Sequence, residues 1–201
     1  AWRQAQENQK YWRVAHFLFP FWTMPPHGDM EDHVWCRAWV PMDDTHTMYV
    51  EFTWTGRSAG LRTVKTGESI PGLADPLEYL SSDTGWFGRW RLKANASNDY
   101  LLDRDAQAVS YSGIPGLYLQ DQAITESMGQ IVDHEFEQLA PSDLMITQTR
   151  RRLLNAVNAH QKNGELPPNA RDPDIYLQAR GGDFMAPESA DWLDCYRARR
   201  E

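Results

Sequence analysis

YSGIPGLYLQDQAITESMGQIVDHEFEQLAPSDLMITQTRRRLL, residues 111–154, is the stretch that decides the fold, because it holds the helices around which the rest must be arranged. Its opening, residues 111–116, carries two glycines and a proline and reads as a flexible loop. Residues 120–132 then fit a helix that relaxes near Gly129, since glycine is a poor helix former. Pro141-Ser142-Asp143 starts a longer helix that runs to about residue 160. Ser142 is placed to cap it, and Asp143 lies in the first turn, where a carboxylate meets the positive end of the helix dipole. Ile146, Leu153, Leu154 and Val157 form a broad apolar stripe, and Gly164 with Pro167-Pro168 marks the stop.

Upstream of these helices the chain turns to strands. Residues 11–22 read as one aromatic strand, with Trp12, Val14, His16 and Leu18 on one side and Arg13, Ala15, Phe17 and Phe19 on the other. Pro20 points to a bend or an edge position. A second strand covers 33–41 and a third 46–55, where Met48, Val50, Phe52 and Trp54 alternate with Thr47, Tyr49, Glu51 and Thr53 in a half-buried pattern. Asp43-Asp44 connects them as an antiparallel hairpin. Residues 56–98, punctuated by Gly60, Gly67, Gly72, Gly85 and Gly88, read as a long surface excursion. The last thirty residues look polar and irregular until a short helix near 190–199, whose sticky face is Trp192, Leu193 and Tyr196. The class is therefore α+β.

Composition narrows the function. Twenty Lys and Arg against 28 Asp and Glu leave a net charge of −8, the wrong sign for gripping a phosphate backbone. The local basic runs Arg150-Arg151-Arg152 and 197–200 read as solvated helix faces. Cys36 and Cys195 are too few for a disulfide scaffold or a CxxC pair, and too few for a Rieske centre, which needs two Cys and two His. No apolar run reaches membrane-spanning length and no charged leader precedes one, so the expectation is a cytoplasmic protein without membrane contact. The first ten residues are polar and begin without Met, as at an artificial or incomplete start.

The carboxylates and histidines do not assemble a site by spacing alone. Asp121 and Glu126 lie five apart, which on a helix sets them about 140° around from each other. Gln122 and Glu126, four apart, share a face. Asp121 thus reads either as a solvated carboxylate or as a ligand completed from elsewhere. Of the six histidines, none makes an HExxH pattern. The loop from His27 to His33 reads as an exposed acidic turn, and His46 is placed to bond Asp43 or Asp44 at the hairpin end. His134 follows Asp133 at a helix end. His16 is either a hydrogen-bonded core histidine or part of a cavity wall, and Cys36 is structural. Trp35, Trp39, Tyr49 and Phe52 are core residues or the lining of an aromatic cavity. Dinucleotide, Walker and nucleophile-elbow fingerprints are missing from the sequence.

Four segments in order carry a resemblance: WRVAHFLFPFWTMPP at 12–26, RAWVPMDDTHT at 37–47, NDYLLDRDAQ at 98–107 and the long run at 111–154. Together they resemble the catalytic region of the Rieske non-heme iron aromatic-ring oxygenases, in the phthalate-dioxygenase-like branch. The resemblance implies a helix-grip (START/Bet v 1-like) fold, an antiparallel sheet curled on a long C-terminal helix and present here only in part. Residues 1–160 would be catalytic domain, and 161–201 an irregular extension ending in a short helix. It also implies that Asp121, in the family's QDxAxxES segment, ligates a mononuclear Fe(II). The paired histidines of a D-x2-H-x4-H segment and the Rieske [2Fe-2S] ligands are expected upstream, since neither spacing occurs in this sequence. His16 and Phe17 would be pocket walls and Tyr111 a residue of its mouth. A complete relative would use dioxygen to hydroxylate or O-demethylate an aromatic substrate, taking electrons from a reductase or ferredoxin, and would assemble as a trimer or hexamer. The rival reading is a non-catalytic domain of the same fold that binds aromatic ligands or a partner.

Overall fold

The computed structural model describes residues 1–31, 33–55, 77–83, 85, 89–109 and 112–200, with only the backbone of His33, Thr55 and Pro168. Along the chain come β1 (Trp2–Gln4), β2 (Gln9–Val14), β3 (His16–Leu18), β4 (Trp22–Met24), β5 (His33–Pro41) and β6 (Thr47–Thr55). Then follow α1 (Arg104–Val109), α2 (Leu117–Ser127), α3 (Leu144–Asn163), β7 (Gly182–Pro187) and α4 (Trp192–Ala198). They divide into two compact units, one of Ala1–Gly60 with Glu137–Glu201 and one of Leu61–Phe136. The α+β class holds. No helix among the described residues is long and apolar enough to cross a membrane.

The first unit contains two antiparallel sheets, ordered β1-β2-β7 and β3-β4-β5-β6. The expected hairpin is present, with Cys36 opposite Phe52 and Trp39 opposite Tyr49, their rings 4.7 Å apart. Its turn is tied by Asp43 Oδ1, which accepts the Thr45 and His46 backbone N–H groups at 2.8 Å each. The single aromatic strand expected over 11–22 is instead three. The chain breaks at Ala15, moving from the first sheet to the second, and then reverses through Phe19-Pro20-Phe21 so that His16 pairs with Met24. Proline cannot donate to a ladder, which fits its place in the reversal.

Further corrections concern the ends. The polar first residues join a sheet: Trp2–Gln4 pairs with β2 and the Trp2 ring lies 6.1 Å from that of Trp12. The segment before α4 is not irregular, because β7 runs antiparallel to β2 with Trp12 opposite Phe184. Glycine makes this approach feasible: a Cβ on Gly182 would stand 2.7 Å from Met30 Cγ and 2.8 Å from Gly28 O. Asp183 N–H donates to Gly28 O at 2.8 Å, pinning the 27–31 turn beneath β7. That turn was expected to be exposed, yet Met30 within it is the most deeply buried large side chain described. Met30, Phe184, Ala186 and Tyr196 form the core, with Trp12, Val14, Leu193 and Cys195 against it. Asp191 caps α4, accepting the N–H groups of Leu193 at 2.9 Å and Asp194 at 3.1 Å. Trp192 stacks on Trp12 at 5.3 Å. The basic tail is folded back rather than solvated, since Arg199 donates to Cys195 O and Met185 O and Arg200 to Gln178 O.

Helix α3 follows its predicted bounds and ends at Gly164 in the left-handed region, whose N–H donates to His160 O at 2.8 Å. Its start is closed by Asp143, which accepts Ala140 N–H at 2.9 Å, in place of the expected Ser142 cap. None of its residues is buried. On β6, Val50, Phe52 and Trp54 are likewise exposed, against the half-buried pattern read from their alternation. The hydrophobic pattern is real, but among the described residues nothing covers these faces.

In the second unit, a turn from Ala96 to Leu101 precedes α1. Asn95 organises it, accepting Ser97 N–H at 3.0 Å and Ser97 Oγ–H at 2.6 Å, while Asn98 Oδ1 accepts Asn95 N–H at 3.0 Å. Asp99, Tyr100 and Leu101 then take φ values of 52°, 55° and 56°. A run of left-handed, non-glycine residues costs about 1–2 kcal/mol per residue and needs firm support. Helix α2 begins at Leu117 and ends at Ser127, shorter than the expected run to residue 132, with Met128 as C-cap and Gly129 at φ 92°. The loop before it requires glycine at 113, where φ is 69° and a Cβ would lie 2.3 Å from Asp103 O.

Candidate functional site

Helix α2 carries the residue on which the iron reading turns. Asp121 lies in its middle and is exposed, with Thr125 Oγ–H donating to its backbone carbonyl and not to its carboxylate. Glu126 is engaged elsewhere: it accepts the Tyr100 hydroxyl at 2.6 Å and the Gln122 amide at 2.8 Å. The predicted shared face of Gln122 and Glu126 is therefore observed, with Asp121 about 140° around the same helix from Glu126. Burial, then the bond to and the charge of Glu126, push the Tyr100 phenol up to about 12, so it remains a donor throughout the physiological range. Gln120 Nε2 donates to Ile114 O at 2.9 Å, tying the first turns of α2 to the preceding loop. Tyr100 is a residue that spacing arguments missed. Its signal was Asp99, since Asp tolerates left-handed backbone better than most other side chains.

The other candidates lie in the first unit, apart from Tyr111, which falls outside the described residues. His16 is half-buried and its Nε2 lies 2.7 Å from the Tyr196 hydroxyl, which also donates to Arg180 O at 3.2 Å. Burial holds the His16 imidazole below its usual pKa, and nearby Arg200 adds to that effect. The hydrogen bond expected in one of the two readings of His16 is present. Phe17 lines an open cleft of about 490 Å3 between β3, α3 and residues 165–176. Arg152, Ala156, Leu166 and Ile175 share the lining, and Tyr176 closes one end by donating its hydroxyl to Phe19 O, as does Asn169 Nδ2 at 2.8 Å. A cleft of this size, largely apolar with a few polar groups, suits a small organic ligand.

Two further histidines have structural partners. His27 packs edge-on to Trp35 at 5.1 Å, and His46 Nδ1 lies 3.0 Å from each Asp43 oxygen, as the sequence suggested. Backbone donation from Thr45, and then the His46 ring, hold the Asp43 carboxyl below its ordinary range. Cys36 is buried, which pushes its thiol up and makes it unreactive. Among the described residues no three His, Cys, Asp or Glu side chains come together as a metal cluster. Asp121 is an exposed carboxylate on a helix, the chemical type that a two-histidine, one-carboxylate facial triad takes at one position.

The first unit is an α+β unit that carries the cleft, and the second carries α2 with the exposed Asp121. The chain belongs to the LigXa C-terminal domain-like family, whose profile it matches over residues 3–195. It is 49% identical over 202 residues to the 3-chlorobenzoate-3,4-dioxygenase oxygenase subunit of Comamonas testosteroni, covering 98% of this chain and 47% of that protein. It is 30% identical over 197 residues to the phthalate 4,5-dioxygenase oxygenase subunit of Pseudomonas putida, covering 98% of this chain and 42% of that protein. The resemblance read from four segments is thus upheld across nearly the whole chain, which spans about half the length of these relatives.

Proposed function

We propose that this chain is the part of an oxygenase subunit that supplies the carboxylate ligand, Asp121, to a mononuclear Fe(II). The observation that carries the reading is the LigXa C-terminal domain-like match over residues 3–195, with the similarity to the chlorobenzoate- and phthalate-dioxygenase oxygenase subunits beside it. Bound Fe(II) would supply dioxygen activation at open coordination positions. The part played by this chain is to present the carboxylate and to hold an aromatic substrate away from water, with His16 and Phe17 as pocket walls and Tyr111 at its mouth. The two histidine ligands and the Rieske [2Fe-2S] cluster would come from sequence outside these 201 residues, and electrons from a reductase or ferredoxin. The substrate class is an aromatic acid, by analogy with the two relatives, and the outcome is ring hydroxylation or O-demethylation. The same reading includes a helix-grip domain built on residues 1–160 with 161–201 as its extension, assembly as a trimer or hexamer, and a cytoplasmic setting.

In the full-length protein, Asp121→Ala should abolish iron-dependent turnover and mononuclear metal binding while leaving the Rieske absorption intact. Retained turnover would refute the ligand role. A second reading, a non-catalytic module for aromatic ligands, draws support from the open cleft beside Phe17. It requires aromatic-acid binding that survives Asp121→Ala in a protein that takes up no iron.

A further inference from the structure

We infer that Tyr100, anchored on Glu126, is a positioning residue that sets the roll of α2 and thereby the aim of the Asp121 carboxylate. The inference rests on the reading of Asp121 as the iron ligand. It starts from an oddity of backbone: Asp99, Tyr100 and Leu101 are all left-handed and none is glycine. Such a run persists only where its surroundings hold it, and here two sets of bonds do so. On one side the Asn95, Ser97 and Asn98 side chains knit the turn to itself, and Tyr100 N–H donates to Asn95 O at 3.0 Å. On the other, the left-handed turn buries the Tyr100 ring and delivers its hydroxyl to Glu126 Oε2 at 2.6 Å.

The geometry of the helix makes that anchor matter. Glu126 also accepts from Gln122, so one longitudinal strip of α2 is bonded to a fixed point while Asp121 projects about 140° around from Glu126. A strip held on one side fixes the direction of the other. A roll of only about 20° would swing a carboxylate 5–6 Å from the helix axis by about 2 Å. Metal–ligand distances tolerate deviations of roughly 0.2 Å, an order of magnitude less. The two quoted segments, NDYLLDRDAQ and the QDQAITES of α2, are therefore joined by one hydrogen bond whose use is orientation. Neither Tyr100 nor Glu126 touches substrate or metal in this scheme.

The test uses the full-length protein with Co(II) as the probe of the mononuclear site, so that the readout is metal affinity and ligand-field absorption and not turnover. Tyr100→Phe keeps the ring and removes only the hydroxyl. It should weaken Co(II) binding about 10- to 100-fold, the usual cost of losing an outer partner of a ligand, and change the visible spectrum of what remains bound. Glu126→Ala should do the same, whereas Glu126→Gln, which still offers an oxygen to Tyr100, should recover most of the affinity. Wild-type Co(II) affinity and spectrum in both Tyr100→Phe and Glu126→Ala would overturn the inference, whatever happens to melting temperature. Asp121→Ala separates the two levels: if it alone abolishes binding, the ligand role stands and positioning fails. If it too binds normally, the ligand role itself is lost.

Discussion

Two apolar surfaces of the first unit carry similar residues and meet opposite fates. At the carboxyl end, Phe184 and Tyr196 are each 6% exposed, and Met30 beneath them is 2% exposed. On α3 and β6, Leu154 is 63% and Trp54 60% exposed. Hydrophobicity does not separate the two groups; access to a complementary surface within the described chain does. Gly181 and Gly182 let β7 come down onto Met24, Gly28 and Met30 at distances that a side chain would forbid. Asp191 then turns the chain into α4, whose Leu193 and Tyr196 complete the enclosure. Among the described residues helix α3 has no such partner over its Leu154–Val157 face, although its Arg152, Asn155, Ala156 and Ala159 side lines the cleft. An apolar stripe announces a surface to be covered and is silent on what covers it.

The sharpest way to break this contrast is to empty the enclosed core. Phe184→Ala should lower unfolding free energy by about 3–5 kcal/mol, the range for deleting a buried aromatic ring whose surroundings relax only partly. A urea or thermal unfolding curve checks it. A loss below about 1 kcal/mol would mean that the β2–β7 layer is not the core of this unit.

What was legible in the sequence follows the same division. Local signals were read well: the Asp43 turn, the bounds of α3, Gly164 as its stop and the sticky face of α4 each depend on neighbours a few residues away. The features that were missed are long-range. The residues of β7 are only six and end in proline, and pairing with β2, some 170 residues earlier, makes them a strand. Pairing of this kind leaves almost no local trace beyond alternation, which six residues starting with Gly182-Asp183 barely display. The site divides likewise. Asp121 came from a family motif, and helical spacing correctly separated it from Glu126. Tyr100, whose bond to Glu126 spans 26 residues, had no periodicity to reveal it.

A smaller effect tests the hinge between the two sheets, where His16 of β3 meets Tyr196 of α4. Burial depresses the folded-state pKa of His16, with Arg200 opposing protonation and the carbonyl of Arg180 favouring it. Because the unfolded chain binds the proton more readily, the contribution is complete above about pH 6.5. It is lost as pH falls from there toward the depressed folded value. Stability should therefore fall on mild acidification with a slope of less than one proton from this group, and His16→Gln should flatten that part of the profile. An unchanged slope in the variant would place the acid sensitivity in other groups.

The smallest expected effect bears on the uncovered side of the comparison. Leu154 of α3 projects into solvent, so Leu154→Ser forfeits little burial and only a modest amount of helix propensity. In the 201-residue polypeptide the change in unfolding free energy should stay within about 0.5 kcal/mol, as for surface substitutions generally. The same substitution in the full-length protein is the informative partner measurement. If sequence outside this chain, or a neighbouring subunit, seats on α3, the cost there should rise toward the 2–5 kcal/mol of a buried aliphatic truncation. Equal, small costs in both would show that α3 keeps its apolar face open in the assembled protein, and that its cleft-lining side is the face that matters.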